Sequence, residues 1–153
     1  MKRYLAFVLA LCFGVESQAR IHQAWSDDAL NDSATLIVIA TPSSITATTE
    51  RTNLLSNVSV GGVETSFRVL TVLKGDRSIK TLVLHHYALV TGQNFIDGPN
   101  LIAFDPKERK QYLMFLQKEA DGRYAAVSGQ IDPYASLKEF AERLPDPNSF
   151  KEF

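Results

Sequence analysis

Residues 63–69 alternate with a strict period of two: Val63, Thr65, Phe67 and Val69 fall on one face, and Glu64, Ser66 and Arg68 on the other. That period marks a half-buried β-strand, because successive side chains of an extended chain point to opposite sides. Leu70 and Val72 then carry the apolar character onto the opposite face. One inserted residue exchanges the two faces of a strand, so the phase break predicts a bulge near Leu70. A bulged strand bends its sheet, and the chain is thereby directed toward a curved or closed β-architecture rather than a flat one.

The flanking segments extend the pattern. Ser26 followed by Asp27 and Asp28 predicts a short helix, capped by Ser26, stapled by Trp25 onto Leu30 and ending near Ala34. Leu36 to Ala40 is a continuous β-branched apolar run, as expected of a strand buried on both faces and stopped by Thr41-Pro42. Residues 42–62 are rich in Ser, Thr and Asn and read as a fraying extension and a long loop. Thr81 to Tyr87 is a further strand, with Leu82, Leu84 and His86 on one face and Val83, His85 and Tyr87 on the other. Residues 88–100 read as irregular, Leu101 to Phe104 as a short strand, and Lys107 to Lys110 as a solvated turn. Asp121-Gly122 sets a hairpin between strands at residues 112–116 and 123–127. Ser136 with Glu139 forms a capping-box pattern, and Leu137, Phe140, Ala141 and Leu144 follow at helical spacing, predicting a C-terminal helix.

Together these elements predict a mainly β fold, a small OB-like β-barrel of five to six antiparallel strands with a short N-terminal helix and a C-terminal helix. A two-layer α+β sandwich with both helices on one face is the alternative. The chain is 45% hydrophobic and 22% charged over 153 residues, a profile that fits one globular domain and excludes wholesale disorder. Residues 20–144 form that domain, and residues 145–153 are expected to be a flexible tail.

Residues 1–19 have the three parts of a secretory signal peptide: Lys2 and Arg3, an apolar stretch from Tyr4 to Val15, and Ser17-Gln18-Ala19 as the cleavage site. The apolar stretch is shorter than the roughly 20 residues a bilayer span needs, so no membrane span is expected in the mature chain. The destination is secreted or periplasmic. Cys12, the only cysteine, leaves with the leader, so the mature domain is held by core burial without disulfides. Losing Lys2, Arg3 and Glu16 takes the formal charge from −1 to −2, a balance that gives a nucleic acid nothing to hold.

Ala34-Thr35-Leu36-Ile37-Val38-Ile39-Ala40 and the later Phe67-Arg68-Val69-Leu70-Thr71-Val72-Leu73-Lys74-Gly75 resemble the netrin-module and tissue-inhibitor-of-metalloproteinases-like group. Tyr112-Leu113-Met114-Phe115-Leu116, Asp121-Gly122-Arg123-Tyr124 and Val127-Ser128-Gly129 are similar to the ending of uncharacterised secreted bacterial members. The resemblance implies an OB-like barrel with an interaction role. Inhibitors of that group chelate a protease metal through a cysteine at the mature N-terminus, whereas this chain would begin Arg20-Ile21-His22. None of their functional residues carries over.

The chemical inventory is thin. His85 and His86 are the candidates for a metal site, yet neighbours on a strand face opposite ways, so His22, Asp97 or Asp105 would have to be recruited. There is no nucleophile elbow and no mature cysteine, so no catalytic residue, metal or cofactor is expected. The two predicted loops carry Leu54, Leu55, Phe95 and Ile96 in polar surroundings, either as an exposed binding patch or as a satellite core beneath the loops. The reading is a non-enzymatic binding module for an extracytoplasmic protein. A protease inhibitor acting by loop insertion and a metal-dependent hydrolase built on His85 or His86 are the alternatives.

Overall fold

The computed structural model describes residues 24–54, 58–90 and 99–140. The leader at 1–19, the tail at 145–153, His22, Leu55, Phe95, Ile96 and Asp97 lie outside them.

Helix α1 (Asp27–Ser33) starts as its sequence dictates: Ser26 adopts an extended conformation and its Oγ accepts the Ala29 N–H at 3.1 Å. Its buried residue, Leu30, packs with Ala34, Ile37, Phe115 and Val127, and Trp25 closes over the same cluster. Because Ile37 feeds this outer cluster while Leu36, Val38 and Ala40 feed the main core, the strand that follows is buried on both faces.

Six strands form a mixed sheet: β1 (Leu36–Leu54), β2 (Val58–Lys74), β3 (Thr81–Leu89), β4 (Gln111–Lys118), β5 (Tyr124–Ala126) and β6 (Leu137–Phe140). The order is β1-β2-β3-β5-β4-β6, and β1 also pairs with β4, so the pairings of the first five strands run round in a ring. The expected all-antiparallel arrangement fails at one place: β3 and β5 run parallel, joined at Leu84 and Tyr124. Inside lie Phe67, Leu82, Leu84, Tyr112, Met114, Leu116 and Leu137, with Phe67, Phe104 and Tyr112 meeting edge to face at 5.0–6.3 Å. The bulge expected near Leu70 is present, since Ile39 pairs with Thr71 and the next residue, Ala40, with Val69.

Three further expectations are corrected. First, residues 42–54 and 58–62 are strand rather than loop. β1 continues through Pro42 to Leu54 and pairs with β2 along its length, forming a long ribbon. Proline is tolerated because Ala40, opposite Tyr112, is the last residue of β1 paired with β4, so Pro42 stands at an edge where no N–H is required. Second, Leu101 to Phe104 form no strand, although Ile102 and Phe104 still bury their side chains in the core. Third, the C-terminal helix is replaced over its described part by β6, which pairs with β4 from Gln111↔Phe140 to Met114↔Leu137. Ser136 Oγ accepts the Ser128 N–H at 2.8 Å instead of capping a helix, and the free edge of β4 outcompetes the local helical preference. The hairpin between β4 and β5 forms as expected, with Gly122 at φ +94° in its turn.

Candidate functional site

A network of polar side chains lies on the outer face of β2 and β3, between the ribbon and the turn joining β4 to β5. Glu64 on β2 stands opposite His85 on β3 in the antiparallel register. Glu50 reaches the same place from β1. Between Ala47↔Val63 and Arg51↔Gly61, three residues of β1 face only Gly62, so residues 48–50 form a bulge. Gly62 permits it: a Cβ there would lie 2.5 Å from Thr48 Oγ1 and 3.0 Å from Glu50 Cβ. The bulge swings the Glu50 carboxylate over β2 onto β3.

There the Tyr87 hydroxyl donates to Glu50 Oε1 at 2.6 Å, and His85 Nε2 lies 3.2 Å from Glu50 Oε2. The second contact is an ion-pair distance without hydrogen-bond alignment. On its other side His85 Nδ1 donates to Glu119, at 3.0 Å to Oε2 and 3.2 Å to Oε1. The imidazole is 6% exposed, while the Glu50 and Glu119 side chains are 37% and 29% exposed. Arg123 adds the cation, with Asp121 Oδ2 at 2.7 Å, Glu64 Oε1 at 3.1 Å and Glu119 Oε2 at 3.7 Å. Gln130 Nε2 donates to the His85 carbonyl at 3.0 Å and holds the strand from behind.

The electrostatics follow from these partners. The Tyr87 hydroxyl holds the Glu50 carboxyl below its usual range, with the charges of His85 and Arg123 adding to it. Burial, and then the bond to Glu50, push the Tyr87 phenol up to about 12. The Arg123 backbone N–H and guanidinium hold the Asp121 carboxyl low. His86 faces the core instead. It shares a 2.8 Å hydrogen bond with Thr65 Oγ1, stacks edge-on against Phe104 at 5.3 Å, and is pushed down to about 4 by burial and then by the charge of His85.

His85 and His86 do face opposite ways, as their adjacency requires, so they share no ligand. Asp105 is not their partner; its Oδ1 accepts the Lys107 N–H and starts a 3-10 turn (Pro106–Glu108). Among the described residues no group of three or more His, Cys, Asp or Glu side chains is placed to hold a metal ion. Leu54, half-buried, packs against the satellite cluster of Val58, Val60 and Tyr87, beside Leu101. Glu50, Glu119, Tyr87 and Arg123 escaped sequence reasoning. Tyr87 was within reach, two residues from His85 and on the same face, but the other three arrive through long-range pairing.

A groove of about 580 Å³ adjoins the cluster, between Ser66 and Val83 of the sheet and Gly122 and Arg123 of the turn. Among the described residues no helix is long and apolar enough to cross a membrane. Compared with family models, curated proteins and solved structures, the chain matches none.

Proposed function

We propose that the chain is an exported, non-enzymatic binding module that meets another extracytoplasmic protein along the outer edge of β1. One observation carries the reading: beyond Pro42, β1 pairs with β2 alone among the described residues, so residues 43–54 present one open strand edge. An open edge offers a row of backbone donors and acceptors to an added strand. Apart from the bulge at 48–50, the usual guards are sparse here. Of the two charged residues on the edge, Glu50 is drawn onto β3, and Arg51 is folded back on the carbonyls of Thr48 and Glu50. Ile45 stands 44% exposed on the same strand.

The leader-like residues 1–19 support export. The ring of five strand pairings, closed through β1 and β4, supports an OB-like barrel, in which the β2–β3 face and the loops flanking it serve recognition. The resemblance to the netrin-module and tissue-inhibitor-of-metalloproteinases-like group points the same way, by analogy of fold. The partner is a protein contributing an extended strand, since four carboxylates beside a single guanidinium disfavour a polyanion on the adjoining face.

Photo-crosslinking in the extracytoplasmic fraction tests it, with the reactive group placed at Ile45 or, as a control, at Leu73, which is 54% exposed elsewhere. Adducts of one defined protein from Ile45 and not from Leu73, lost with Thr46→Pro, are expected. Equal labelling from both positions overturns the reading, and a stable dimer in sedimentation that is broken by Thr46→Pro assigns the edge to a second copy of the chain.

A further inference from the structure

β3 is nine residues long and β5 three, and on the side away from β2 the sheet first meets β3 at Leu84. The Val69 N–H donates to the Lys80 carbonyl at 2.9 Å, which sets the phase of the β2–β3 ladder. Backbone groups of an antiparallel strand turn to one neighbour and then to the other, so Leu82 and Leu84 bond to β2 while Thr81, Val83 and His85 face the seam. His85 is fully served there. The bridge to Tyr124 is made through the Val83 carbonyl and the His85 N–H, and the His85 carbonyl accepts Gln130 Nε2 at 3.0 Å. Among the described residues nothing meets the Thr81 N–H, the Thr81 carbonyl or the Val83 N–H. These groups lie along two open cavities of about 580 and 500 Å³ that share Thr81, Gly122 and Tyr124. A Cβ at Gly122 would meet nothing within 4 Å, so the turn leaves the gap clear from its side.

We propose that this gap, between the start of β3 and the β4–β5 turn, receives the N-terminal end of an extended peptide, at a site separate from the β1 edge. Laid antiparallel to β3, the first peptide residue stands opposite Val83 and accepts its N–H, and the third exchanges both bonds with Thr81. The added strand cannot run on, because Tyr124 holds the next position at Leu84; it has to end there or leave the sheet.

A parallel strand would satisfy the same three groups and bring a C-terminal carboxylate to that place. Charge decides against it. The wall beside Val83 is Arg123, whose guanidinium is already met by Asp121 at 2.7 Å, Glu64 at 3.1 Å and Glu119 at 3.7 Å. Three carboxylates around one guanidinium favour an ammonium group over a further anion. At the other end of the gap Asp76 and Lys118 balance each other, so the rest of the peptide leaves without a charge preference.

Nuclear magnetic resonance on the purified protein tests the site in two stages. Without ligand, the amides of Thr81 and Val83 are expected to exchange with solvent about tenfold or more faster than those of Leu82 and Leu84. Equal protection of all four overturns the open edge. The probe is then a hexapeptide of alternating valine and threonine, amidated at its C-terminus, with its amine free or acetylated. The free amine should shift the Thr81 and Val83 amides and bind about three- to fivefold more tightly than the acetylated form, a preference that shrinks in Asp121→Asn. Thr81→Pro alters the first residue of β3, where proline is tolerated, and deletes one of the three groups; it should weaken binding about three- to tenfold while Leu82 and Leu84 stay protected. Shifts confined to residues 43–54, acetylated peptide bound as tightly as free, or no shift at millimolar peptide overturn the proposal. The β1 edge reports through its own amides, so the failure of one docking site is distinguishable from the failure of the other.

Discussion

His85 and His86 are adjacent in the chain and opposite in environment: one imidazole sits between the carboxylates of Glu50 and Glu119, the other between Thr65 and the ring of Phe104. Strand geometry does this without any special device, because consecutive side chains emerge on opposite faces. The consequence is two imidazoles on one strand with different surroundings.

His86 makes the fold acid-sensitive. Its folded value of about 4 lies below the 6.5 of the unfolded chain, so between them the unfolded state binds the extra proton. Stability is therefore full above pH 6.5 and declines as the pH falls toward 4, by about 3 kcal/mol at the limit. Denaturant midpoints measured across that range should show the decline, and His86→Gln, which keeps a polar partner for Thr65, should flatten it.

Tyr87 sets the alkaline limit. With its phenol at about 12 in the folded chain against 10.0 unfolded, stability falls as the pH climbs from 10 toward 12. Ultraviolet titration should find a late-ionising phase to which Tyr112, also raised by burial, contributes, and Tyr87→Phe should shrink that phase by one phenol. Losing the bond to Glu50 costs about 1 kcal/mol, since solvent already reaches the carboxylate.

Gly62→Ala should destabilise through crowding alone. The added methyl would meet Thr48 Oγ1 at 2.5 Å, forcing the bulge outward at a cost of about 1–3 kcal/mol. The same variant should weaken the Glu50–His85 contact, visible as a changed His85 ring resonance alongside a lower thermal midpoint.

Phe104→Ala should be the costliest of these changes, at about 4 kcal/mol by chemical unfolding. Phe104 lies on a segment with no strand pairing, and its ring, wedged among Phe67, Tyr112 and His86, helps hold that segment to the core.

The physics explains which parts of this fold could be read in advance. The helix cap at Ser26, the strand buried on both faces at 36–40, the bulge at Leu70 and the hairpin at Asp121-Gly122 all depend on neighbours in sequence, and all four stand in the structure. The β1 arm of the ribbon was hidden because residues 43–47 are exposed on both faces and carry no apolar alternation to betray it. Threonine favours strands, but next to serine and asparagine it looked like loop. Leu137 and Phe140 fit a helical stripe as well as a strand, and only the waiting edge of β4 decides between them. The site suffered most. The outward direction of His85 was legible, but Glu50 lies 35 positions earlier and Glu119 34 later, and nothing local announces either.

The ring of strands is shut on one side by a single bridge, Leu84 to Tyr124. Both hairpins, β1–β2 and β4–β5, assemble from near neighbours along the chain, whereas this clasp joins segments forty residues apart. With one bridge against the run of pairs from Leu36↔Leu116 to Ala40↔Tyr112, it is the weakest seam of the ring and the first to part under thermal breathing. A staple fixed across that seam would slow unfolding far more than one placed within either hairpin.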